Sequence, residues 1–125
     1  QLSVAQSARV SGAVAVSTPQ DVALIDVKKA IHMFQMLQIP LLGVVENMSY
    51  FRCSSCEQVH HIFGGNQTND TGDKLSAPVL GKIPITTAIR EGGDAGIPLM
   101  ISQPESEAAG VFRKVAEAIV KQLDA

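Results

Sequence analysis

Three short apolar runs separated by amphipathic stretches set the pattern of this chain. Ala13-Val14-Ala15-Val16, Leu41 to Val45 and Val79-Leu80-Gly81-Lys82-Ile83 run on without strict alternation, as strands covered on both faces do. Between the first two, Ala23, Val27, Ala30, Ile31, Phe34 and Leu37 fall on one stripe. Asp26, Lys28, Lys29, His32 and Gln35 lie largely off it, which predicts an amphipathic helix ending near Gln38. Its start is expected at Thr18, as N-cap, with Pro19 at the first helical position and Asp21 completing a capping box. A second such helix closes the chain. Ser102 and Glu105 offer its capping box, and Phe112, Val115, Ala116, Ile119, Val120 and Leu123 form its stripe. Weaker patterns predict a short helix in Leu2 to Arg9 and a helical turn or two in Ile85 to Glu91, stopped by Gly92-Gly93. Ile97 to Ile101 reads as a fourth, edge-type strand.

Strands alternating with helices give an α/β fold, an open parallel sheet with helices on its faces and a right-handed β-α-β crossover. Ligands of such sheets sit beyond the carboxyl ends of the strands, here Ser17-Thr18, Glu46-Asn47 and Pro84-Ile85. Three strands are few, and the edge beside Ala13 to Val16 calls for further strands from a partner or from the rest of the polypeptide. Residues 1–125 read as one domain, and within it 47–78 is a long connection of the kind that carries function.

Composition narrows the classes. With 46% hydrophobic and 18% charged residues and a net charge of −2, the chain is globular and lacks the basic face of a nucleic-acid binder. No apolar run is long enough to span a bilayer, so no membrane partner is expected. The start at Gln1 has no initiator Met and no signal-peptide features, so the chain is expected to begin inside a longer protein of the reducing cytoplasm. Asn47, Asn66 and Asn69 head Asn-x-Ser/Thr triplets that chance supplies readily.

The chemistry centres on Leu41 to Cys56, where a strand leads through the polar pair Glu46-Asn47 to the only two cysteines. Cys53-x-x-Cys56 is a spacing that binds one soft metal ion or two corners of an iron–sulfur cluster. Two thiolates complete neither. The remaining ligands come from a second copy or, less readily, from His60 or His61, and a redox dithiol is a third option. Asn47 at a strand end offers an amide that can read a nucleotide base. Gly81-Lys82 is followed by isoleucine, so no phosphate-loop motif is present. Arg90 and Asp94 read as a local pair.

Four runs together resemble the C-terminal half of the Mrp/ApbC family, P-loop ATPases related to MinD that carry and transfer iron–sulfur clusters. They are Val14-Ala15-Val16-Ser17-Thr18-Pro19-Gln20-Asp21-Val22-Ala23, Gly43-Val44-Val45-Glu46-Asn47-Met48-Ser49, Ile62-Phe63-Gly64 and Ile89-Arg90-Glu91-Gly92-Gly93-Asp94. The resemblance implies a MinD-like P-loop NTPase fold whose N-terminal half, with the phosphate loop, switch aspartates and Mg²⁺ ligands, precedes Gln1. It implies a [4Fe–4S] cluster held by Cys53 and Cys56 across a homodimer and delivered to apo iron–sulfur proteins. It also implies an ATP adenine pocket at Asn47, Pro84 and Ile85, and no ATP hydrolysis by this segment alone. One departure is Ser54, where the family usually has a proline that stiffens the turn between the ligands. The alternatives are a MinD/ParA-like regulatory ATPase segment with zinc or no metal, and a stand-alone dimerisation module.

Overall fold

The middle of the sheet is the run Leu41–Glu46 (β2). In the computed structural model, which describes residues 1–65 and 70–125, it lies between Ala13–Ser17 (β1) and Val79–Lys82 (here β5), paired in parallel with both. Leu42 to Glu46 are all buried, so both faces of β2 are covered, as its unbroken apolar pattern requires. In chain order the other elements are α1 (Leu2–Ser7), α2 (Asp21–Met36), the two-residue strands β3 (Phe51–Arg52) and β4 (Val59–His60), α3 (Asp70–Leu75), α4 (Thr87–Ala95), α5 (Leu99–Ser102) and α6 (Glu107–Leu123). Ala15 and Val44 from the sheet pack with Leu24 and Ile31 of α2 and Leu75 of α3. A second cluster joins Leu99, Ala108 and Ala109, with Ala88 and Ile89 against it. α6 also lies on β5, so closely that a Cβ at Gly81 would stand 2.5 Å from Val115 Cγ2.

The connection from β2 to β5 holds structure of its own, an antiparallel hairpin of β3 and β4 followed by α3. Asn66 and Asn69, the heads of two of the triplets, lie outside the described residues.

Both long helices start later than their sequence signals indicate. α2 is capped by Gln20 with no side-chain bond, because Pro19 is buried against Gly65 and keeps the chain extended past Thr18, whose hydroxyl donates to Gln20 Oε1 instead. α6 is capped by Ser106, whose Oγ accepts the Ala109 N–H at 3.2 Å. Ser102 is already committed to α5, donating its N–H to Pro98 O. Residues 97–101 form no strand; a five-residue apolar run fits either state, and Pro98 caps the short helix α5. α4 passes through Gly92-Gly93 and stops at Gly96, which takes φ +68. Gly92 serves a close approach instead, since a Cβ there would meet Ile97 O at 2.6 Å. In α6 the contact with the sheet runs through Val111 and Val115, leaving Phe112, Val120 and Leu123 of the expected stripe exposed.

At the carboxyl edge the register sets Ser17, Glu46 and Lys82 side by side. Glu46 is fully buried. Its Oε1 accepts the Ser49 hydroxyl, its Oε2 accepts the Thr71 hydroxyl, and Lys82 Nζ lies 3.9 Å from Oε1. Further out, the foot of the hairpin is tied to the start of α6. Glu107 accepts the Tyr50 hydroxyl at 2.6 Å and the Arg52 Nε–H at 3.2 Å. These bonds hold the Glu107 carboxyl below the usual range, that of Tyr50 before that of Arg52. Partial burial, then the bond to Glu107, pushes the Tyr50 phenol up to about 12.

Two expectations follow. Glu46→Ala removes the acceptor of two buried hydroxyls, each worth about 1–3 kcal/mol when orphaned, so urea unfolding should register a loss of roughly 2–6 kcal/mol. A loss under about 1 kcal/mol would mean that the hydroxyls find other partners. For the hairpin clamp, the Glu107 carboxyl has a lowered folded value, so its contribution is present above its ordinary value of 4.5 and fades as pH falls below it. The Tyr50 phenol has a raised one, so its contribution is complete below 10.0 and fades as pH climbs toward about 12. The difference in melting temperature between wild type and Glu107→Gln should therefore be flat from about pH 5 to 9 and shrink on either side.

Candidate functional site

The segment after β2 is laced between its neighbours by backbone bonds. Asn47 N–H donates to Ser17 O at 2.7 Å, Ile83 N–H to Glu46 O at 2.8 Å, Ser49 N–H to Ile83 O at 2.9 Å, and Ile85 N–H to Tyr50 O at 2.7 Å. Pro84 sits between two residues whose N–H groups are both used, a place where its own missing donor costs nothing. Met48 takes φ +54, turning the chain at the strand end, and its N–H donates to Asn47 Oδ1 at 3.0 Å. That bond engages the Oδ1 face of the amide.

These bonds bring the three residues expected at a nucleotide base into one cleft. Asn47, Pro84 and Ile85 line a cavity of about 510 Å³ together with Met48, Ile62, Phe63, Thr86, Ile89 and Arg90. The size falls in the range of small-molecule pockets, roughly 300–1,000 Å³, and its walls are mainly apolar, as a flat base requires. Sequence reasoning did not assign Met48, Ile62, Phe63, Ile89 or Arg90 to it. The signal was there in part: Ile62-Phe63-Gly64 and Ile89-Arg90-Glu91 stand among the four family-like runs. Arg90 is ion-paired along α4 with Asp94 at 3.0 Å and with Glu91 at 3.1 Å.

The cysteines lie elsewhere, at the tip of the β3–β4 hairpin. The ladder Phe51–His60 and Arg52–Val59 is extended by Cys53 N–H donating to Gln58 O at 2.9 Å. Glu57 N–H then donates to Cys53 O at 2.8 Å, and Glu57 closes the tip at φ +59. Both thiols are free, Cys53 half-buried and Cys56 exposed. The backbone N–H of Cys56, then that of Ser55, faces the Cys53 sulfur and lowers its thiol below the ordinary value, toward the thiolate that binds metal. His60 lies beside Phe51, ring centres 6.5 Å apart. Among the described residues no three His, Cys, Asp or Glu side chains gather to hold a metal ion. Nor is any helix among the described residues long and apolar enough to cross a membrane.

Comparison with known proteins shows the family and the fold. The profile of the ParA family, described as NUBPL iron-transfer P-loop NTPase, matches residues 1–120. The iron-sulfur cluster transfer protein NUBPL of Dictyostelium discoideum is 44% identical over 123 residues, 98% of this chain and 38% of that protein. The iron-sulfur cluster carrier protein of Escherichia coli K12 is 45% identical over 123 residues, 98% of this chain and 33% of that protein. The chain thus spans 33–38% of the length of these relatives. Among solved structures, the cell division ATPase MinD of Pyrococcus furiosus superposes with a TM-score of 0.70 at 31% identity, covering 90% of this chain and 43% of that one. A nucleotide-binding protein of Archaeoglobus fulgidus in complex with ADP gives 0.61 at 33% identity, covering 78% and 39%. With the parallel α/β sheet and nearly the full length matched, the chain belongs to the ParA family of NUBPL-type iron-transfer P-loop NTPases.

Proposed function

We propose that this chain is the cluster-holding and base-binding part of an ATP-dependent iron–sulfur carrier. The observation that carries the reading is the cysteine pair, two free thiols at the tip of a pinned hairpin with no third ligand beside them among the described residues. A [4Fe–4S] cluster takes four thiolates. Two copies of this chain meeting at their hairpins supply them, so the working form is a homodimer with the cluster on its axis. Two free thiols persist in a reducing compartment, and the cytoplasm is the setting we assign. The relatives named as cluster carrier and cluster transfer protein support this cargo.

Delivery to an apo-protein is ligand exchange without net redox change. The recipient's thiol gives up its proton and its sulfur bonds to iron. The bond from iron to Cys53 or Cys56 breaks, and the released thiolate takes up a proton. The exposed tip leaves room for the incoming sulfur, and the N–H groups facing Cys53 favour its thiolate before loading. In the cleft, Asn47 would donate to an acceptor on the adenine edge while Pro84 and Ile85 flank the ring. ATP, when bound, would supply the free energy of its hydrolysis. These 125 residues contain no Gly-x-x-x-x-Gly-Lys-Ser/Thr run, so hydrolysis is not assigned to them.

Anaerobic reconstitution with iron and sulfide, followed by metal analysis and sizing, tests the cargo. About two iron and two sulfide per chain in a dimer are expected, and Cys53→Ala or Cys56→Ala should lose most of both. Zinc bound in place of iron, or iron retained in the double alanine variant, would overturn the reading. For the cleft, Asn47→Ala should weaken adenosine binding about three- to tenfold, the worth of one neutral hydrogen bond at roughly 0.5–1.5 kcal/mol. Calorimetry measures this directly, and an unchanged Kd would remove Asn47 from the site.

A further inference from the structure

Two cavities meet at α4. One is the cleft beyond the strand ends, of about 510 Å³. The other, of about 470 Å³, is bounded by Gly92 and Gly93 of α4, by Ile97, Leu99 and Met100 around α5, and by Phe112 of α6. Among the described residues Ile89 is the one that lines both, so its side chain is the partition between them. The partition is firmly held. Ile89 N–H donates to Thr86 Oγ1 at 3.2 Å, and with Ala88 the residue packs against Leu99, Ala108 and Ala109. A β-branched side chain in a helix keeps essentially one χ1 rotamer, so isoleucine stays in place where an unbranched side chain would swing aside. Behind it, no charged side chain among the described residues lines the second cavity. Ile97 and Met100 there are 48% and 38% exposed, apolar surface left to water.

We propose that Ile89 is a specificity-determining residue of the cleft, which ends the site at an unsubstituted purine and shuts apolar ligand groups out of the cavity behind it. The inference rests on reading the cleft as a base site. A purine carrying an aryl group on the edge that faces α4 meets a packed wall, and rejection comes from that clash. With the wall shortened, cleft and cavity become one apolar slot. The same aryl group then buries itself against Met100 and Phe112, which favours binding. The ligand class of the joined site is therefore a purine nucleoside bearing an apolar aryl group. Ile89 reads size alone, since its side chain has no polar atom, and polar recognition is left to Asn47.

Calorimetry with adenosine and with three aryl derivatives, N6-benzyladenosine, 2-phenylaminoadenosine and 8-benzylaminoadenosine, tests this. Between them the three probe each free edge of the base. For Ile89→Ala, at least one derivative should bind about tenfold or more tighter than it binds wild type, while adenosine changes by less than about threefold. Ile89→Met keeps the volume of the side chain but not its stiffness, so it folds like wild type and should show a smaller gain for the same derivative. Adding Met100→Trp to either variant fills the cavity from its other side and should cancel the gain without changing adenosine binding. Gains below about threefold for all three derivatives in both Ile89 variants would overturn the gate and leave the base site standing. A gain that survives Met100→Trp would place the aryl group elsewhere and overturn it too. Failure of wild type to bind adenosine at about 10 mM would overturn the base site itself, and the gate with it.

Discussion

A carboxyl group with no exposure to water is costly unless its oxygens find partners, and the end of the central strand carries one. Glu46 meets that requirement by recruiting donors from two places further along the chain, a hydroxyl three residues on and another twenty-five residues on, with the Lys82 ammonium beside them. Satisfying it dictates the path of everything in between. Ser49 must turn back under the sheet edge, which starts the hairpin at a fixed angle. Thr71 must come in from the side, which docks α3 against α2 and seals Leu75 into the core. The long connection is thus an excursion pinned at its beginning and near its end by one side chain.

That arrangement separates rigidity from chemistry. The sheet and α2 carry the packing, whereas the thiols and most of the cleft residues lie at or beyond the strand ends, where a ligand can reach them. Few of the side chains that shape the site are themselves chemical. Tyr50, Arg52 and Glu107 touch neither cleft centre nor thiol, yet they determine where the hairpin stands.

The sheet was legible because its signal is local. Runs such as Leu41 to Val45 are apolar without a break, and the rule that ligands gather at carboxyl ends pointed to Asn47 and Pro84-Ile85 before any coordinates. The thiol pair was legible because spacing is visible in a sequence. What escaped depends on contacts between distant residues. Thr18 and Ser102 are good caps in isolation, but a buried Pro19 and the preceding helix α5 had first claim on the backbone around them. Gly92-Gly93 looked like a stop because the close approach of Ile97 O leaves no mark in the sequence. Glu46 drew notice as half of a polar pair, but its partners Thr71 and Lys82 could be found only in three dimensions, as could Glu107 for Tyr50.

The tie between Tyr50 and Glu107 spans 57 positions of the chain. A contact of that separation closes late, after the nearer hairpin and helix contacts have formed, because the entropy of bringing its ends together must first be met. The foot of the cysteine hairpin is therefore set only when the last helix has docked. In a chain emerging from the ribosome, the foot of the hairpin therefore lacks its side-chain anchor until Glu107 has been made, and the two thiols gain their fixed placement only after that.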